Sequence, residues 1–327
     1  MKRKLHAGKR LSGGFGLPVL TEDEMEEIHL ATMEVLEKTG VFVEDEQALE
    51  VFASGGAHVD KHKKMVTLPS YVVEDAIRSA PSKFIACGRV PKDDVVLESN
   101  RTSFANFGEG IMILDPYSKE HRETVKQDLA NVAKIIDYLD CIDVYERAML
   151  SHDVPQLVSP LHNAEASLSN TTKHHFLGPA SGYNGERIVE MLEAIVGGRE
   201  QLRKRPLLTF VTCPISPLKL VRDCCEVTMV AARSGIAVNI ISVALAGATA
   251  PVTPAGTLVT HNAEVLASIT LNQLTQKGAP VIYGCSTTGM DLRLGTASVG
   301  TPEMAMINAA VARLAQFYSL PSFVAGG

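Results

Sequence analysis

The chain has 327 residues, 46% of them hydrophobic and 21% charged, with a formal net charge of −6. That balance excludes a disordered chain, and no window approaches the roughly 18 apolar residues of a bilayer span. An acidic, mixed-sign charge pattern also excludes nucleic acid as the main partner.

The basic N-terminal stretch MKRKLHAGKRLSGGFGLPVL lacks the apolar run of a signal peptide, so a cytoplasmic location is expected. Six cysteines (Cys87, Cys141, Cys213, Cys224, Cys225 and Cys285) contain no C-x-x-C pair. They read as buried thiols rather than a disulfide framework or a zinc cluster.

Taken in chain order, TEDEMEEIHLATMEVLEKTG predicts the first helix, with Thr21 as N-cap, Glu24 closing a capping box and Gly40 as the stop. Short helices are predicted over Glu46–Phe52 and Pro69–Ile77, separated by a hairpin in GGAHVDKHKKMVTLP. Residues 1–100 therefore read as an N-terminal helical cap region.

From about residue 101 to 327 the pattern alternates between strand and helix. Strands are predicted at Thr102–Phe107, Val144–Leu150, His174–Leu177, Leu207–Thr212, Val238–Val243, Val281–Gly284 and Ser322–Ala325. Helices are predicted at Val125–Leu139, Pro155–Leu168, Glu186–Val196, Pro217–Arg233, Thr260–Leu274 and Glu303–Tyr318. Alternation of this kind specifies an α/β fold with a parallel sheet. About seven strands are compatible with a (β/α)8 TIM barrel lacking one strand or with an open doubly wound sheet. The absence of any glycine-rich phosphate loop favours the barrel.

A barrel's chemistry sits at the carboxyl ends of its strands. The segments after the strands hold Phe107 and Gly108, then His152 and Asp153, then Thr212, then His261, Asn262 and Glu264, and then Ser286, Thr287, Asp291 and Glu303. His152-Asp153 is either a base with its orienting acid or a surface loop pair. His174-His175 is a poor metal site, because strand neighbours face oppositely. His261 and Glu264 share a helical face, which forms a polar site if it looks into the barrel mouth and an ordinary side-chain pair if it does not. Glu303 at a helix start is explained by the helix dipole alone. No complete catalytic set is present.

Several long stretches carry a resemblance. CPISPLKL, AGTLVTHNAEVLASITLNQL, YGCSTTGMDLRLGTASVGTPE and LAQFYSLPSFVAGG, together with NFGEG and TEDEMEEIHLATMEVLEKTGV, closely resemble the trimethylamine methyltransferase family. The resemblance implies a β/α barrel that moves a methyl group from trimethylamine to the cobalt of a separate, cognate corrinoid protein, with no cofactor or metal held directly. It implies polar tuning groups among Glu303, Asp291, His261 and Glu264. It also implies a surface facing substrate and corrinoid at Phe107, Gly108, His152, Thr212, Asn262, Ser286, Thr287, Gly326 and Gly327.

In the trimethylamine branch of that family a pyrrolysine, encoded by an in-frame amber codon, follows the SFVAG strand. The expectation here is pyrrolysine directly after Gly327, with the eighth strand beyond it and the fragment alone inactive. Glycine betaine or another methylated amine is the alternative substrate, and a non-catalytic truncated product the alternative of a different class. A homo-oligomer is also expected. With no Trp, seven Tyr and ten Phe, the sequence is poorly equipped for the aromatic cage that a quaternary ammonium group prefers.

Overall fold

The computed structural model describes residues 19–325. Gly326 and Gly327, two of the expected site residues, lie outside them. The chain divides into two compact units. Among the described residues one comprises 84–211 and 234–236, and the other 19–83, 212–233 and 237–325. These units cut across the sequence division at residue 100.

Residues 19–83 form α1 (Glu22–Glu34), β1 (Val41–Val43), α2 (Glu46–Ser54), β2 (His58–Asp60), β3 (Met65–Thr67) and α3 (Ser70–Ser79). Thr21 and Glu24 close the capping box at the head of α1, satisfying two of the amides that a helix start leaves unpaired. The hairpin is β2 against β3, and β1 pairs antiparallel with β3.

Gly40 turns the chain from the end of the first helical segment into β1 at φ 76° and ψ −168°, a region open essentially to glycine alone. A Cβ there would stand 2.3 Å from the Val66 carbonyl oxygen. Gly40→Ala is therefore expected to cost about 3 kcal/mol, from backbone strain and overpacking together. An unchanged urea midpoint for this variant would contradict that reading.

Residues 84–211 supply β4 (Lys83–Ala86, which starts one residue earlier), β5 (Val95–Glu98), β6 (Met112–Leu114), β7 (His121–Glu123), α4 (Lys126–Tyr138), β8 (Tyr145–Glu146), α5 (Ser159–Leu168), β9 (His175–Leu177), α6 (Gly182–Val196), α7 (Arg199–Lys204) and β10 (Leu208–Thr212). Strands β8, β9 and β10 run parallel, with Tyr145 level with His175 and His175 level with Leu208. Tyr145 packs on Ala133 and Ile136 of α4. Strand alternation therefore sends Glu146, Phe176 and Thr209 to the face turned away from that helix.

The strand expected at Thr102–Phe107 is reduced to one isolated bridge, Ala105 to Val144, and a second bridge, Gly110 to Met149, lies beyond it. The cause is local: the Asn106 side chain itself takes both backbone groups of Glu146, with Nδ2 donating to the carbonyl at 2.8 Å and Oδ1 accepting from the amide at 2.9 Å. A side-chain amide thus replaces a ladder rung. The strand expected over Val144–Leu150 is correspondingly limited to Tyr145–Glu146.

Residues 212–325 add β11 (Lys219–Leu220), α8 (Arg222–Ser234), β12 (Ala237–Ser242), β13 (Leu245–Ala246), α9 (Pro254–Thr275), β14 (Val281–Cys285), β15 (Thr288–Asp291), β16 (Thr296–Ser298), α10 (Pro302–Phe317) and β17 (Ser322–Val324). Here β12, β14 and β17 are parallel, with Ile240 level with Tyr283 and Tyr283 with Ser322.

Two helix starts differ by several residues from expectation. Ser216-Pro217 does not begin a helix, because the following residues are drawn into β11, parallel to β1, and α8 starts only at Arg222. Helix α9 begins six residues before Thr260, where the Thr253 side chain accepts from the Gly256 amide and Pro254 occupies the first turn. Helix α10 begins at Pro302, one residue before the expected Glu303, with Thr301 as the cap. The Pro155–Leu168 helix opens as a short 3-10 turn over Gln156–Val158 before α5. Of the six thiols, Cys141 and Cys213 are exposed rather than buried.

Candidate active site

Both units present polar groups at the carboxyl ends of their parallel strands, but on different faces. In the unit built on β12 and β14, Ser242 and Tyr283 point toward α9. The Ser242 hydroxyl donates to Glu264 Oε2 at 2.6 Å, and the Tyr283 hydroxyl to Asn262 Oδ1 at 2.6 Å. By alternation Asn239, Ile241, Ile282, Gly284 and Ser286 fall on the opposite face.

Glu264 is completely buried and accepts from three donors: Ser242, the Ser216 hydroxyl at 2.8 Å and the Leu218 amide at 3.0 Å. Burial raises its pKa, and the three hydrogen bonds oppose the rise. His261, also buried, sets Nδ1 2.9 Å from the Thr287 hydroxyl, and burial pushes its imidazole down to about 3. Thr287 in turn reaches the Ser242 carbonyl at 3.3 Å. His261, Thr287, Ser242 and Glu264 are therefore one chain of contacts between α9 and the ends of β12 and β14. His261 Nε2 has no hydrogen-bond partner.

Asn262 is a structural hub by its contacts. Its Nδ2 donates to Thr32 of α1 at 2.9 Å and to Tyr318 at 2.8 Å, while Oδ1 accepts from Tyr283. Asp291 and Glu303 lie elsewhere, lining an apolar cavity of about 440 Å³ with Val252, Leu258, Met290 and Met306. Asp291 is turned partly onto its own loop, where Oδ1 accepts from the amides of Arg293 and Leu294. Glu303 occupies the exposed first turn of α10. Ser286 is partly exposed, with its amide on the Ser242 carbonyl, and Thr212, at the end of β10, is buried.

In the unit built on β8, β9 and β10 the structure gathers groups that the sequence reading did not single out. Glu146 ends β8 on the face averted from α4, partly buried, beside the bare backbone of Gly108. A Cβ on Gly108 would meet the Arg147 carbonyl oxygen at 2.7 Å and Glu146 Cγ at 3.0 Å. Arg147 is buried; its Nη1 donates to the Gly178 carbonyl at 2.7 Å just beyond β9, and its Nη2 pairs with Glu109 Oε1. Burial and the neighbouring Glu109 carboxylate push Glu146 up to about 7, with Arg147 opposing. The available signal was the pair Glu146-Arg147 inside the apolar run VYERAML, since charges within a buried strand call for partners.

Phe107, beside this group, is 79% exposed. His152 and Asp153 do not pair with each other: His152 Nδ1 lies 3.2 Å from both Thr124 oxygens, and Asp153 accepts from the Lys126 amide at the start of α4. His174 and His175 face oppositely. His174 contacts the Cys87 carbonyl and the Thr209 hydroxyl, whereas His175 packs against Tyr145 with the rings tilted. Among the described residues no group of three His, Cys, Asp or Glu side chains is placed to hold a metal ion, and no helix is long and apolar enough to cross a membrane.

An α/β chain with these parallel strands has a known structural counterpart. The crystal structure of Methanosarcina barkeri monomethylamine methyltransferase (MtmB) superposes with a TM-score of 0.56 at 13% sequence identity, covering 92% of this chain and 67% of that one. The likeness establishes the fold. The family model for trimethylamine methyltransferase (MTTB) matches residues 12–327, and the chain belongs to that family.

Relatives named trimethylamine methyltransferase MttB are 49% identical over 327 residues in Desulfitobacterium hafniense and 43% identical over 326 residues in Methanosarcina thermophila. They cover 100% and 98% of this chain. A glycine betaine methyltransferase of Desulfitobacterium hafniense is 36% identical over 311 residues and 94% of the chain. This chain spans 66%, 67% and 64% of those three relatives' lengths, about two thirds of each.

Proposed function

We propose that the protein takes part in methyl transfer from trimethylamine to the cobalt of a corrinoid carried by a separate partner protein, within a (β/α)8 barrel. The observation that carries the reading is the family match over nearly the whole chain, with higher identity to the MttB relatives than to the betaine methyltransferase. The corrinoid, when presented by its partner, supplies a cobalt nucleophile; this chain's part is to bind and orient the amine. An amine nitrogen leaves readily only when it carries positive charge, so a site for this reaction needs carboxylates close to the nitrogen. Glu146 and Glu109 supply such groups in one unit, at the end of a parallel strand where barrel sites lie. Ser286, on the helix-averted face of the other unit, is a further candidate for the substrate-facing surface, whereas Glu264, His261 and Asn262 are held between α9 and the strands.

The test is methyl transfer with the protein from its natural host and its corrinoid partner in the reduced state. Trimethylamine is expected to yield one equivalent of dimethylamine per methyl group transferred, and glycine betaine to yield none. Turnover of betaine with no turnover of trimethylamine would overturn the substrate assignment, and turnover of neither would overturn the function.

A further inference from the structure

We propose that Glu146 is the residue that receives the N–H of trimethylammonium and so selects a protonated tertiary amine over a quaternary ammonium ion. This assignment rests on the trimethylamine reading above. Trimethylammonium offers one hydrogen-bond donor on its nitrogen, and a quaternary nitrogen offers none. A carboxylate at the nitrogen therefore discriminates by hydrogen bonding where size alone discriminates weakly.

The geometry suits that task. Glu146 projects from the carboxyl end of β8 on the face opposite α4, and Asn106 fixes both its backbone amide and its carbonyl. Its side chain lies against Gly108, where a Cβ would come within 3.2 Å of the carboxyl carbon. The charged groups acting on it are Glu109, from the segment that carries Gly108, and Arg147, the residue directly after β8. Arg147 is committed elsewhere: one end of its guanidinium holds Glu109 and the other donates to the Gly178 carbonyl. Across the sheet Glu146 is level with Phe176, and Phe176 with Thr209, neither of which carries charge. Glu146 thus remains partly exposed, and among the described residues no donor meets its carboxyl group, while Glu109 is tied down beside it.

Trimethylammonium would enter with its proton and donate its N–H to the Glu146 carboxylate in a charge-assisted hydrogen bond, the proton staying on nitrogen. When the C–N bond breaks, its electron pair stays on nitrogen, and neutral dimethylamine departs with the proton. The methyl group would pass to the cobalt(I) that the partner's corrinoid supplies, whose electron pair would form the new bond. No proton is gained or lost by Glu146 over the cycle, and no further oxidant or reductant is needed.

The competent form of Glu146 is the carboxylate. Because burial and Glu109 hold it near 7, trimethylammonium binding should weaken as pH falls through about 7, approaching tenfold for each further pH unit.

The experiment is calorimetric titration of the protein from its natural host, without its corrinoid partner, with trimethylamine and with tetramethylammonium between pH 5.5 and 8.5. Wild type is expected to show a steep acid limb for trimethylamine and a shallower one for tetramethylammonium, which loses only the Coulombic attraction of the carboxylate and no hydrogen bond. Glu146→Gln should weaken trimethylamine binding by about 10²-fold at pH 8 and abolish the limb. Glu109→Gln, which leaves Glu146 in place and removes the like charge, should move the limb to lower pH. If wild type binds and demethylates trimethylamine but E146Q keeps both the affinity and the limb, or E109Q leaves the limb where it was, the assignment is wrong. If wild type does not turn trimethylamine over, the function itself is wrong.

Discussion

Acidification from pH 7 to pH 5 is expected to lower the stability of the fold by several kcal/mol, chiefly through three histidines. His174, His175 and His261 are buried, and burial pushes their imidazoles down to about 4, 3 and 3. In the unfolded chain each titrates near 6.5, so below that pH the unfolded state binds protons that the folded state refuses. Stability is therefore intact above about pH 6.5 and is lost as pH falls toward each folded pKa. At pH 5 the loss is about 2 kcal/mol per histidine, against a typical total of 5–15 kcal/mol.

Glu146 acts with the opposite sign, since a carboxyl raised to about 7 takes up its proton earlier in the folded state. It offsets about 2 kcal/mol of the loss over the same interval. Burial of Glu264 acts in the same direction as Glu146. Urea denaturation at pH 7.5 and pH 5 measures the net effect, and His175→Phe should flatten the dependence. A pH dependence left unchanged by His175→Phe would show that this imidazole is not held neutral by the fold.

The second large effect is expected at Asn262. Replacing it with Leu removes the partner of the Tyr283 hydroxyl and the donor to Thr32 and Tyr318, leaving buried polar groups of β14, α1 and the end of α10 without it. Each group stranded in this way costs about 1–3 kcal/mol, so a loss of about 4 kcal/mol is expected. The Tyr318 hydroxyl retains its contact with His29 at 3.1 Å, which keeps the figure below the sum of three full penalties. A structural hub loses its urea midpoint on this substitution, whereas a residue serving only the substrate keeps the midpoint and loses affinity. The same measurement on Ser286→Ala, a partly exposed residue, should show little change in stability.

Much of the local structure was legible in the residues themselves. The capping box of Thr21 and Glu24 and the glycine stop at Gly40 are encoded within a few positions, because orphan amides and positive-φ backbone have only local solutions. The parallel strands after His174 follow from apolar runs spaced by helices. Thr102–Phe107 was not legible as a broken strand, since nothing local signals that the Asn106 amide will stand in for a ladder rung. Ser216-Pro217 carries valid helix-start chemistry, yet β1 and Glu264 recruit the residues after it.

The candidate site divides along the same line. The sequence by itself determined the family, the α/β alternation and the presence of His261 and Glu264 on one helical face, because these depend on motif and on the 3.6-residue period. Only the tertiary structure decided what that face meets, a set of hydroxyls between helix and strands. It alone brought Glu109, Arg147 and Glu146 together across 38 positions of chain. Periodicity fixes direction within one element, but charge pairing and burial arise between elements, where the sequence carries no local record of the neighbour.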